Sequence, residues 1–147
     1  MTLNTLAVAN QIVVVLQALS GPALGNVQIG VPEHAGARVE AYVTIGSQPM
    51  VKKNTGTVQR SAHYFVTFAY RLDAGNVTTA ETDLMALVDN FQAALNADLT
   101  LAHTCDGIDI DTGLADAPDY RMFAGKEYRE YPCIIIARQT GAFNPAP

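Results

Sequence analysis

Three aspartates, Asp106, Asp109 and Asp111, crowd into the stretch "DGIDIDTG" at 106–113. Carboxylate oxygens at that density are what a hard cation such as calcium requires. The spacing fails the known pattern. A helix–loop–helix calcium loop opening at Asp109 needs glycine at its sixth position and glutamate at its twelfth, where this chain has Leu114 and Tyr120. The stretch therefore reads as a strand end that turns in water. His103 and Cys105, two apart and so on one face of a strand, could join Cys133 and His63 as a zinc set of two thiolates and two imidazoles. No C-x-x-C pair tethers any two of them, so the expectation is packed or exposed side chains and not ligands. The chain also lacks a G-x-S-x-G elbow, a G-x-x-x-x-G-K-[ST] loop and a strand-linked G-x-G-x-x-G. No catalytic residue, cofactor or metal is expected.

The elements that would position these residues follow from periodicity. Val8, Ile12, Val15, Leu16 and Leu19 form the apolar stripe of a helix over 5–20, stopped by Gly21-Pro22. No residue of that helix is charged, which predicts cover on several sides. A short strand is expected at 26–31. At 38–45, Val39, Ala41, Val43 and Ile45 alternate with Glu40, Tyr42 and Thr44, the pattern of a strand with one wet face. Tyr64, Val66, Phe68 and Tyr70 mark a stronger strand at 61–72. Residues 46–60 between them are longer than a hairpin loop, hold the breakers Gly46, Pro49, Asn54 and Gly56, and read as an extended inter-strand arm. A second helix is expected over 79–96, with Thr78 and Glu81 as a capping box and Leu84, Leu87, Val88, Phe91 and Leu95 facing the sheet. Burial of each such Leu or Phe stabilises by about 1.5–3 kcal/mol, so Leu87 and Phe91 should be costly to truncate. Strands at 102–110 and 126–138, joined by an acidic loop, and a frayed tail at 141–147 complete the chain. The run Cys133 to Ala137 is apolar on both faces and predicts a central strand. The expected fold is α+β: residues 1–147 as one domain, with a single largely antiparallel sheet and an N-terminal helix and a central amphipathic helix packed on it.

Composition bounds the function. The 147 residues are 49% apolar and only 16% charged, which excludes disorder and favours a surface that associates. The net charge of −5 argues against a protein whose main task is to grip nucleic acid. Its distribution is uneven. Residues 1–72 carry five basic and two acidic side chains, net +3, and residues 73–147 carry four basic and twelve acidic, net −8. Such a split suits head-to-tail contact between subunits. No apolar run reaches the roughly 18 residues of a membrane span, and the first basic residue, Arg38, lies too far along for a secretory signal. Two cysteines are too few for a disulfide framework.

In element order and texture the chain resembles the tail terminator, or tail completion, proteins of long-tailed bacteriophages. The matching passages are "VEAYVTIGSQP", "SAHYFVTFAYRLDAGNVTTAETDLMALVDNFQAALNADLTL" and "YREYPCIIIARQ". The resemblance implies a structural protein, not an enzyme: a hexameric ring that caps the tail tube and joins it to the head connector. Its implied partners are copies of itself, the tail tube protein and the head-tail connector protein. No membrane and no sequence-specific nucleic acid is implied, although genome DNA passes through such a ring. The implied location is the virion tail or neck, with assembly in the host cytoplasm. The working parts would be the arm, with Met50, Lys52, Lys53 and Arg60, and an acidic face with Asp106, Asp109 and Asp111. Related neck and connector proteins share this texture. A rival of another class is a small bacterial α+β enzyme or ligand-binding domain, which would show a closed apolar pocket with convergent polar groups.

Overall fold

The computed structural model describes residues 4–33, 37–54, 56–73, 75–112, 119–123 and 125–142. The elements run α1 (Thr5–Gln17), β1 (Asn26–Ile29), β2 (Val39–Ile45), β3 (Met50–Asn54), β4 (Thr57–Leu72), α2 (Val77–Ala97), β5 (Gly107–Asp111), β6 (Asp119–Phe123) and β7 (Lys126–Ala142). The fold is α+β, with both helices packed on a mostly antiparallel open sheet. Its order is β1-β2-β4-β7-β5, with β3 added to β4 and β6 to β7. Among the described residues only β1 against β2 is parallel. β4 and β7 form the spine, paired from Thr57↔Ala142 to Leu72↔Glu127.

Side-chain alternation along β4 explains the core. Ala62, Tyr64, Val66, Phe68 and Tyr70 point to the helices, and the register sets Val39, Ala41 and Val43 of β2 and Cys133, Ile135 and Ala137 of β7 on the same face. Leu84, Leu87, Phe91 and Leu95 of α2 close over them, and Phe91 meets Phe68 edge-on with ring centroids 5.5 Å apart. Val8, Ile12 and Leu16 of α1 complete the core.

Several sequence expectations need correction. The arm at 46–60 is not a long loop: Met50–Asn54 and the start of β4 pair as a β-hairpin, Met50 opposite Arg60 and Asn54 opposite Thr57. The breakers Asn54 and Gly56 sit at its turn, and Val58 beyond them is buried, so the chain on both sides of the turn extends the sheet. The face of β2 expected to be wet is buried at Glu40 and Tyr42. The capping box does not form. The helix starts at Val77, and the N-cap residue Asn76 instead bridges the loop, accepting from the Asp73 amide at 2.8 Å and donating to the Arg71 carbonyl at 3.1 Å. Glu81 reaches across the layer to Arg129 at 2.6 Å. The strand expected from 102 begins only at Gly107, because Leu101, Ala102 and His103 turn the chain with positive φ. Helix α1 is shorter than expected, and it buries one face, Val8, Ala9, Ile12 and Leu16, while Leu6 and Val14 are exposed, in place of the cover expected on several sides. Of the tail expected at 141–147, residues 141 and 142 belong to β7 and the rest lie outside the described residues, as does most of the acidic loop. That loop holds a further strand, β6.

Candidate functional site

Three surfaces merit description. The first is an apolar groove of about 430 Å³ between the N-terminal half of α1 and the β1–β2 edge, walled by Leu6, Ala9, Ile29, Val43, Ile45 and Tyr64. Leu6, Ile29 and Ile45 are exposed along it. The tyrosine hydroxyl is already engaged, donating to the Thr5 carbonyl at 2.8 Å and tying α1 to the sheet. The groove therefore offers apolar area without the convergent polar groups that a small-molecule site needs.

The second is the β3–β4 hairpin. Met50 and Arg60 lie opposite each other and line one shallow depression with Gln48 and Ser61. Both are exposed. Lys52 and Lys53 fall within β3, so the four arm residues singled out from the sequence belong to one hairpin. Asp106, Asp109 and Asp111 sit elsewhere, at the start of and along β5. Asp106 accepts from the Thr140 amide at 2.6 Å, and Asp109 is ion-paired with Arg138. These two carboxylates thus fasten the β5 edge to β7. Asp111 closes the strand opposite Ile134.

The residues weighed for zinc do not converge. His63 faces away from Cys133, because the β4–β7 register puts His63 beside Ile136 and Cys133 beside Val66. His103 is in the turn, and the Cys105 thiol donates to the Thr100 carbonyl. Burial pushes the Cys133 thiol up to about 12 and also raises Cys105, which leaves both as protonated, unreactive side chains at neutral pH.

The third surface is one that sequence reasoning missed: a charged cluster on the sheet face opposite the helices. Tyr42 donates to Glu130 Oε2 at 2.6 Å, and Arg121 of β6 pairs with Glu130 Oε1 at 3.5 Å while lying 5.5 Å over the Tyr42 ring. Glu40, fully buried, takes a long hydrogen bond from Asn26 Nδ2 at 3.4 Å on one oxygen. Its other oxygen has no partner, nor has the buried Tyr128 hydroxyl. Burial holds the Glu40 carboxyl above its ordinary 4.5; the Asn26 hydrogen bond and the Arg121 charge oppose that shift, and the Glu130 charge adds to it. Alternation along β2 did mark Glu40 and Tyr42 as a polar face. Nothing in the local pattern showed that β6, paired beside β7, would bring Arg121 to it.

Among the described residues no helix is long and apolar enough to cross a membrane. No protein-family model matches the chain, and no curated protein matches its sequence.

Proposed function

We propose that the protein is a virion structural subunit, forming a ring that caps the tail tube of a long-tailed phage and joins it to the head connector. The observation that carries the reading is how charge and apolar area are distributed. Three of the four basic residues in the second half, Arg121, Arg129 and Arg138, are tied to carboxylates of the same chain, so that half turns a predominantly acidic surface outward. The basic residues Lys52, Lys53 and Arg60 are gathered on the β3–β4 hairpin. A hairpin of one sign and an acidic surface elsewhere suit a heterologous contact, which closes into a ring when its rotation divides a full turn. The charge-free α1 with its groove supplies apolar area for association. Six copies, and contacts with the tube and connector proteins, come from the family resemblance.

Electron microscopy of assembled tails and of the concentrated protein tests the reading. A ring at the head-proximal end of the tube is the expected result. A protein found only as a monomer or closed dimer, with none in tails, would overturn it in favour of a ligand-binding or enzymatic domain.

A further inference from the structure

We propose that Glu40 is a proton-operated latch for the strand β6: protonated, it leaves β6 paired beside β7 with Arg121 on Glu130, and ionised, it draws Arg121 away from Glu130 and loosens β6. The groups around it define the charge balance. β1 presents only the amides of Asn26 and Gln28, β4 presents Arg71, β7 presents Tyr128 and Glu130, and β6 presents Arg121, with Asp73 just past the end of β4. Arg71 is paired with Asp73 at 3.7 Å, and Arg121 with Glu130 at 3.5 Å. Each arginine thus has its carboxylate, and Glu40 is a third acid with no ion pair among the described residues. The cluster is neutral only when Glu40 carries a proton. An ionised carboxylate there would be a buried charge without compensation, which is costly and drives rearrangement.

The same cluster supplies what the rearrangement needs. Glu40 Oε1 and Tyr128 Oη lack hydrogen-bond partners, and so do Arg71 Nε and, on β6, Arg121 Nε and Nη2. A shift of Arg121 toward Glu40 would satisfy both donor and acceptor while releasing Glu130. Of the strands that bring charge to the cluster, the one that can yield is β6, because among the described residues its five residues pair with β7 alone, whereas β2, β4 and β7 belong to longer ladders. Its outward side chains include exposed Tyr120 and Met122, so loosening β6 changes an apolar surface that a partner would meet.

The sign of the effect is fixed by linkage. A carboxyl raised in the folded state contributes stability that is fully present below its unfolded value, near 4.5, and lost as pH rises through the folded value. The test compares the full chain with Glu40→Gln and Glu130→Gln from pH 4 to 8, by thermal melting and by amide exchange resolved at 119–123. Relative to Glu40→Gln, the wild type should lose up to about tenfold in its folding equilibrium constant per pH unit between those two values. The loss of amide protection should concentrate in β6. Glu130→Gln, which leaves Arg121 to Glu40, should flatten the profile. Parallel profiles for wild type and Glu40→Gln, or a loss of protection spread evenly over the sheet, would overturn the latch. If Glu40→Gln does not fold, a carbon-13 titration of the wild-type Glu40 carboxyl decides, and an ordinary midpoint overturns it.

Discussion

A phenol inside a fold resists ionisation for reasons visible at single residues. Tyr42 is raised to about 12 first by burial and then by donating to Glu130, whose negative charge opposes a second one; Tyr64 reaches about 12 mainly by burial. Both are raised above their ordinary 10.0, so the stability each contributes is complete below pH 10 and is lost as pH rises through about 12. Alkaline titration should therefore show phenolate absorbance near pH 12 that Tyr42→Phe and Tyr64→Phe each diminish, with unfolding in the same window. Phenolate from both residues complete by pH 10.5 would contradict these environments.

At the scale of elements, the start of α2 and the β3–β4 hairpin each separate what local pattern suggested from what the fold does. Asn76 bridges two backbone groups, whereas Thr78 lies exposed within the first turn. Asn76→Ala should cost about 1–2 kcal/mol and Thr78→Ala less than about 0.5 kcal/mol in denaturant melts. A capping box at Thr78 would reverse that order. In the hairpin, among the described residues, β3 pairs on one side only, while Arg60 is flanked by Met50 on β3 and by Gln139 on β7. Limited trypsin treatment of the free subunit should cut after Lys52 or Lys53 before it cuts after Arg60, because local opening is easiest where the ladder has one partner. In the proposed ring the same bonds should be protected. First cleavage at Arg60 would show that β4, and not β3, opens.

For the whole molecule, the proposed ring assigns charge and apolar area to different parts of assembly. In that ring, contacts between the basic hairpin and an acidic surface would steer encounter and register, and they would be screened as the Debye length falls from about 10 Å at 0.1 M salt to about 3 Å at 1 M. The apolar groove beside α1 is insensitive to that screening. Raising salt should slow association more than it dissociates rings already formed, which light scattering and native mass measurements can follow. Unchanged association rates across that range would remove charge from the contact. Replacing exposed Leu6 by Glu should instead weaken the formed ring while leaving the isolated subunit folded, since that side chain is outside the core.

What the sequence by itself determined is whatever short-range periodicity encodes. The alternation in β2 and β4 and the three-and-four repeat of α2 depend on which side chains reach one core, and Phe91 and Leu87 lie in it as that repeat requires. The arm residues and β5 aspartates were legible as charged segments, but their arrangement was not. Whether Asn54 and Gly56 end a loop or turn a hairpin depends on whether β7 extends far enough to pair with Thr57–Arg60, a contact more than seventy residues away. Glu81 could cap its own helix or reach Arg129, and only the packing of α2 over β7 brings the arginine within 2.6 Å. Glu40 reads as solvent-facing until β7 brings Glu130 to the same face and β6, paired beside β7, brings Arg121. Tertiary structure decided these points because each turns on a polar group whose partner is remote in sequence, and a buried polar group takes its state from that partner and not from its neighbours in the chain.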